Sequence, residues 1–98
     1  MIRYSGTVVL EDGTRTPFET GMKGARAWEA YASRHDLPLN PRPEAVDRFP
    51  LYTWQLVIAH AALAIEAGVD AWGNEVAGVD DWAAADVPPT RAAVSAVP

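Results

Sequence analysis

The sequence predicts an α+β fold, mainly α, in which an N-terminal β-hairpin is followed by three helices and the second helix is central and buried. Three observations carry this expectation. Ile2 to Leu10 is β-branched and Thr-rich, and Thr14 to Thr20 resembles it, with Asp12-Gly13 between them. An Asp-Gly pair between two such runs is the strongest short hairpin signal, because glycine tolerates the positive φ that a tight turn requires. Two later stretches carry apolar residues at helical spacing or almost without interruption.

With a two-residue loop, Glu11 faces Thr14, Val9 faces Thr16 and Thr7 faces Phe18. Pro17 has no N–H to donate, so the second strand is expected at a sheet edge. Lys23 to His35 is the first helix, with Trp28, Tyr31, Ala32 and His35 on one stripe. Pro38, Pro41 and Pro43 preclude a helix over 36–48, which is expected to be a connecting loop.

Pro50 suits the start of the second helix, where a missing N–H costs nothing. That helix is expected to run to about Ala67 and to stop at Gly68. Leu51, Trp54, Leu56, Val57, Ile58, Ala61, Ala62, Leu63 and Ile65 make it apolar nearly all round, so residues 50–67 are expected to be the most buried. Asp70 is the expected N-cap of a third helix. Its apolar face is Val69, Trp72, Val76 and Val79, at spacings of three, four and three. Residues 1–82 then form a single domain, and the Ala, Val and Pro of 83–98 form a disordered tail.

Composition narrows the function. An apolar fraction of 49% and a charged fraction of 21% are ordinary for a globular chain of 98 residues. There is no Cys, so disulfides and thiolate metal sites are excluded, which suits a cytoplasmic location. The longest apolar stretch, Leu51 to Ile65, is shorter than the roughly 20 residues needed to span a bilayer. The N-terminal residues carry no apolar signal-peptide core.

Residues 1–48 balance seven basic against seven acidic side chains. Residues 49–98 set Glu66, Asp70, Glu75, Asp80, Asp81 and Asp86 against Arg91 alone. Nucleic-acid binding needs Lys and Arg against phosphate, so this half argues against it; it suits a basic protein partner or simple solubility.

No catalytic or metal pattern emerges. His35 and His60 are isolated, and His60 reads as a hydrogen-bonded core residue. Neither the serines nor the glycines fall in a nucleophile-elbow, dinucleotide or P-loop pattern. The expectation is therefore no enzyme, no cofactor and no metal. Four Trp are more than one small core needs, and Trp favours protein interfaces. Trp54 is expected in the core, whereas Trp72, Val76, Val79 and Trp82 are the candidate partner-binding residues. Trp82→Ala is then expected to weaken binding and leave the melting temperature nearly unchanged.

The order of these features resembles the tail assembly chaperones of long-tailed phages, particularly those of actinobacterial hosts. The resemblance lies in Ala27-Trp28-Glu29, the proline-rich loop, Trp54 with the Ala-His-Ala-Ala-Leu run at 59–63, and Val69-Asp70-Ala71-Trp72 with Val76. It covers roughly residues 3–82. It implies a host-cytoplasmic protein that coats the tape-measure protein and keeps it soluble while tail-tube subunits polymerise around it. It also implies a short and a frameshifted long form, this chain being the short one or a member with no long form. Tail-tube subunits and a second copy of the chain are further candidate partners; nucleic acid and membrane are not. The alternatives are a structural head–tail or tail component of the particle, or a small bacterial regulatory binding module.

Overall fold

The computed structural model describes residues 2–39 and 49–86. Its elements are β1 (Ile2–Leu10), β2 (Arg15–Thr20), α1 (Met22–His35), α2 (Leu51–Leu63), α3 (Val69–Gly73) and β3 (Val76–Asp86). The strands form one antiparallel sheet of order β2-β1-β3. Alternate residues of β1 and β2, among them Tyr4, Val8, Phe18 and Thr20, are buried against α1 and α2. The opposite face carries the exposed ion pairs Arg3–Glu19 at 2.9 Å and Arg15–Asp80 at 3.0 Å.

This corrects the expected hairpin followed by three helices. The third helix stops at Gly73 after five residues, and the chain returns as an 11-residue strand along β1. The domain is not mainly α either: strands of 9, 6 and 11 residues stand against helices of 14, 13 and 5. Residues 83–86, expected to begin the tail, pair with Ile2–Ser5. The rest of the expected tail, 87–98, and most of the proline-rich loop, 40–48, lie outside the described residues.

Why did a strand read as a helix? The register between β1 and β3 shifts twice. Leu10 faces Val76 but Val9 faces Gly78, leaving Ala77 as an extra residue. Thr7 faces Asp80 but Ser5 faces Ala83, so Asp81 and Trp82 together oppose Gly6. Asp81 takes the left-handed conformation, with φ 55. Each bulge returns the chain to the same face after three residues instead of two. Val76, Val79 and Trp82 therefore all face the helices, at a spacing that imitates one turn of helix. Pairing also gives the second edge of β1 partners for its backbone N–H and C=O groups, which a continued helix would leave open. Gly73, Asn74 and Gly78 add little in favour of the helix.

The hairpin differs by one residue from its expected register. Gly6 faces Phe18, Thr7 faces Pro17 and Val9 faces Arg15. The loop has three residues, closed by Leu10 N–H to the Thr14 carbonyl at 2.8 Å and Gly13 N–H to the Leu10 carbonyl at 2.9 Å. Gly13 adopts φ 92, the positive-φ position of a three-residue hairpin. Asp12 Oδ1 accepts the Thr14 N–H at 2.9 Å, and this bond holds the exposed carboxyl below its usual pKa. The bond is kept above the ordinary carboxyl pKa and lost as pH falls through the lowered one. Gly13→Ala is expected to destabilise the domain by about 1–2 kcal/mol, the cost of forcing a side chain into left-handed backbone. A Cβ there meets nothing within 4 Å, so the loss is purely conformational. Urea midpoints check this, and Gly13→Asn should retain more stability than Gly13→Ala.

In α1, Trp28 and Ala32 face the core, and the Trp28 indole N–H donates to the Leu39 carbonyl at 2.8 Å. That bond fastens the chain leaving the helix to the helix itself. α2 touches every other element, and Ile58 and Ala59 are fully buried. It ends at Leu63 rather than near Ala67, where Ala64 turns left-handed at φ 53. His60 Nε2 lies 2.6 Å from the Ala67 carbonyl oxygen, holding the turn after the helix. Gly68 is extended and precedes α3, with its carbonyl accepting the Trp72 N–H at 2.9 Å; Asp70 is not the cap.

Candidate partner-binding surface

The N-terminal part of α2 departs from the expected all-round burial. Tyr52 is 83% exposed and Leu51 44% exposed. This end of the helix lies beside the start of β3, and the two leave an open groove of about 250 Å³ between them. Tyr52, Thr53, Gln55 and Leu56 form one wall, Val76–Val79 the other, and Gly73 lies in its lining. Gly73 lets the two walls approach: a Cβ there would come within 2.8 Å of Leu56 Cδ2 and push the tip of that half-buried side chain aside. The bulge at Ala77 turns Val76 and Val79 to the same side, so the groove depends on the irregular strand.

A second depression, about 360 Å³, runs between α1 and α2 and is lined by Ala27, Ala30, Tyr31, Arg34, Val57, His60 and Val69. Across it the Tyr31 hydroxyl donates to Asp70 Oδ1 at 3.3 Å. Burial first, and then the negative charge of Asp70, push the Tyr31 hydroxyl pKa up. Burial alone does the same to Tyr4.

The four residues expected to bind a partner do not form one patch. Val76 and Val79 line the α2–β3 groove, half-buried. Trp72 is only 6% exposed and meets the His60 ring edge-on at 5.6 Å. Trp82 faces inward, stacked on Tyr4 at 5.7 Å, tilted against Phe18 at 6.3 Å and edge-on to Trp54 at 5.0 Å. Gly6 makes room for this cluster, since a Cβ there would lie 3.1 Å from both Phe18 and Val79. Tyr52 and Leu56 were not legible as groove residues, because in the sequence they belong to a stretch that is apolar nearly all round a helix, interrupted only by Thr53, Gln55 and His60.

Among the described residues no three His, Asp or Glu come together as a metal-ion site. Nor is any described helix long and apolar enough to cross a membrane. What the groove offers is apolar contact, a phenol hydroxyl at its rim and an edge of β3 that no described strand pairs with. Compared with protein-family models, curated proteins and solved structures, the chain matches none.

The residues that carry the resemblance to tail assembly chaperones are mostly packing residues. Trp28 and Trp72 are buried, and Trp54 is half-buried against Tyr4, Phe49 and Trp82. The expected resemblance therefore rests on positions that shape the domain, and the exposed Tyr52 is not among them.

Proposed function

We propose that this chain is a tail assembly chaperone of a long-tailed phage, acting in the host cytoplasm by binding the tape-measure protein and keeping it soluble. It works by contact alone, with no cofactor. The observation that carries the reading is the exposed apolar shoulder of Leu51 and Tyr52 beside an open groove on a small domain. Exposed apolar side chains beside a groove are the kind of surface that interaction sites use. A long helical chain that must remain unassembled needs its apolar stripe covered, and an amphipathic segment laid in an apolar groove meets that need. The resemblance in the order of sequence features supplies the biological setting, although Val76, counted in its closing helix, lies in β3.

Co-expression with the tape-measure protein of the same genome tests this. The tape-measure protein is expected in the soluble fraction and in complex with this chain, and the chain is expected to be missing from purified particles. Insoluble tape-measure protein despite abundant chain would remove the chaperone reading. Stoichiometric presence in particles would favour a structural tail component instead.

A further inference from the structure

Both walls of the α2–β3 groove come from a stretch of chain with one sign of charge. Residues 49–86 contain no Lys or Arg but carry Glu66, Asp70, Glu75, Asp80, Asp81 and Asp86. Glu75 immediately precedes the β3 wall of the groove, and Asp80 and Asp81 immediately follow it; all three are exposed. Asp80 is matched by Arg15, on the far face of the sheet. The depression between α1 and α2 differs, having Arg34 in its lining.

We propose that the α2–β3 groove receives a segment of a partner protein in which a bulky apolar side chain is flanked by lysine or arginine. The apolar side chain seats among Leu56, Val76 and Val79 and is covered by the ring of Tyr52. The flanking cations lie toward Glu75 at one end and Asp81 at the other. Charge sets the encounter rate and rejects acidic segments, while the buried apolar anchor sets the residence time. A two-fold dimer through this groove would bring two acidic stretches together, which like charge opposes. Two bulges also interrupt β3, so long regular strand addition at its edge is disfavoured and side-chain anchoring carries the contact.

The inference rests on the chaperone reading only in taking the partner to be a protein, and its test is separate. Two synthetic amphipathic peptides of equal length and identical leucine positions serve as probes, one with lysine and the other with glutamate on the polar face. The lysine peptide is expected to shift the amide resonances of Tyr52, Leu56, Val76 and Val79, and to bind at least about tenfold more tightly than the glutamate peptide at low salt. Tyr52→Ala removes an exposed ring, and Tyr52→Lys sets a cation in its place at the rim of the groove. Each is expected to retain the wild-type melting temperature and to weaken the lysine peptide about tenfold or more.

Equal binding of both peptides, shifts confined to the Ala27–Arg34 depression, or full affinity in both variants would overturn the proposal. So would self-association abolished by Tyr52→Ala, which would give the groove to a second copy. If the tape-measure protein is kept soluble by the Tyr52→Ala chain as well as by the wild type, this groove is wrong and the chaperone role stands. If the lysine peptide binds as described but the tape-measure protein stays insoluble, the role is wrong and the groove stands.

Discussion

Trp82→Ala is expected to lower the melting temperature by more than about 10 °C and to collapse the near-ultraviolet circular dichroism of the domain. Replacing a core Trp by Ala costs about 3–5 kcal/mol. Trp82 is half-buried, so the lower part of that range applies, with about 0.5–1.5 kcal/mol more for each aromatic pairing that is well placed. In a domain this small each kcal/mol moves the midpoint by roughly 4–8 °C.

The ring packs at once on three elements: Tyr4 from β1, Phe18 from β2 and Trp54 from α2. Its loss opens a cavity where sheet and helices meet, and β3 has no other aromatic to fill it. Trp82→Phe is expected to recover about half of the lost stability, because it keeps a ring on the same face. Thermal melts of both variants decide the matter. An unchanged midpoint in Trp82→Ala would restore this residue as a surface anchor.

Gly24→Ala is expected to destabilise the domain, although alanine is the better helix former by about 1 kcal/mol. Gly24 is buried in the first turn of α1, against the end of β2 and against α2, and a Cβ there would lie 2.5 Å from Thr20 Cγ2 and 3.0 Å from Ile58 Cγ2. Thr20 is 6% exposed, and its hydroxyl accepts the Gly24 N–H at 3.2 Å. Turning the Thr20 side chain to relieve the clash would break that bond. Ile58 is fully buried and has no space to retreat.

Overpacking of this kind costs about 1–3 kcal/mol, which outweighs the gain in helix propensity over most of that range. Thr20→Ser removes the clashing methyl and keeps the hydroxyl, so the double variant is expected to be more stable than the sum of the two single changes implies. Denaturant midpoints for the four chains form the cycle. Strict additivity would show that Thr20 is not the group the new methyl meets.

The sequence by itself determined those parts of the protein that local chemistry controls. The run of β-branched residues around Asp12-Gly13 specifies a hairpin, Trp28, Tyr31 and Ala32 of the expected stripe mark the inward face of α1 while its fourth member, His35, is exposed, and Pro17 confines β2 to an edge. Acidic charge without a single Lys or Arg over 49–86 is likewise a property of the sequence alone.

Tertiary structure decided the rest. The hairpin register slipped by one residue because Asp12 and Gly13 build a three-residue loop, whose geometry an Asp-Gly pair does not specify. The last 11 described residues became a strand because β1 offered an open edge, a partner remote in sequence that no local pattern announces. Two bulges then let residues three apart share one face, so a helical spacing served a strand. The same event packed Trp82, half-buried, against the core and left Val76 and Val79 lining a groove with Tyr52. Periodicity records which side chains face inward; the backbone geometry that turns them there depends on where the hydrogen-bonding partners lie.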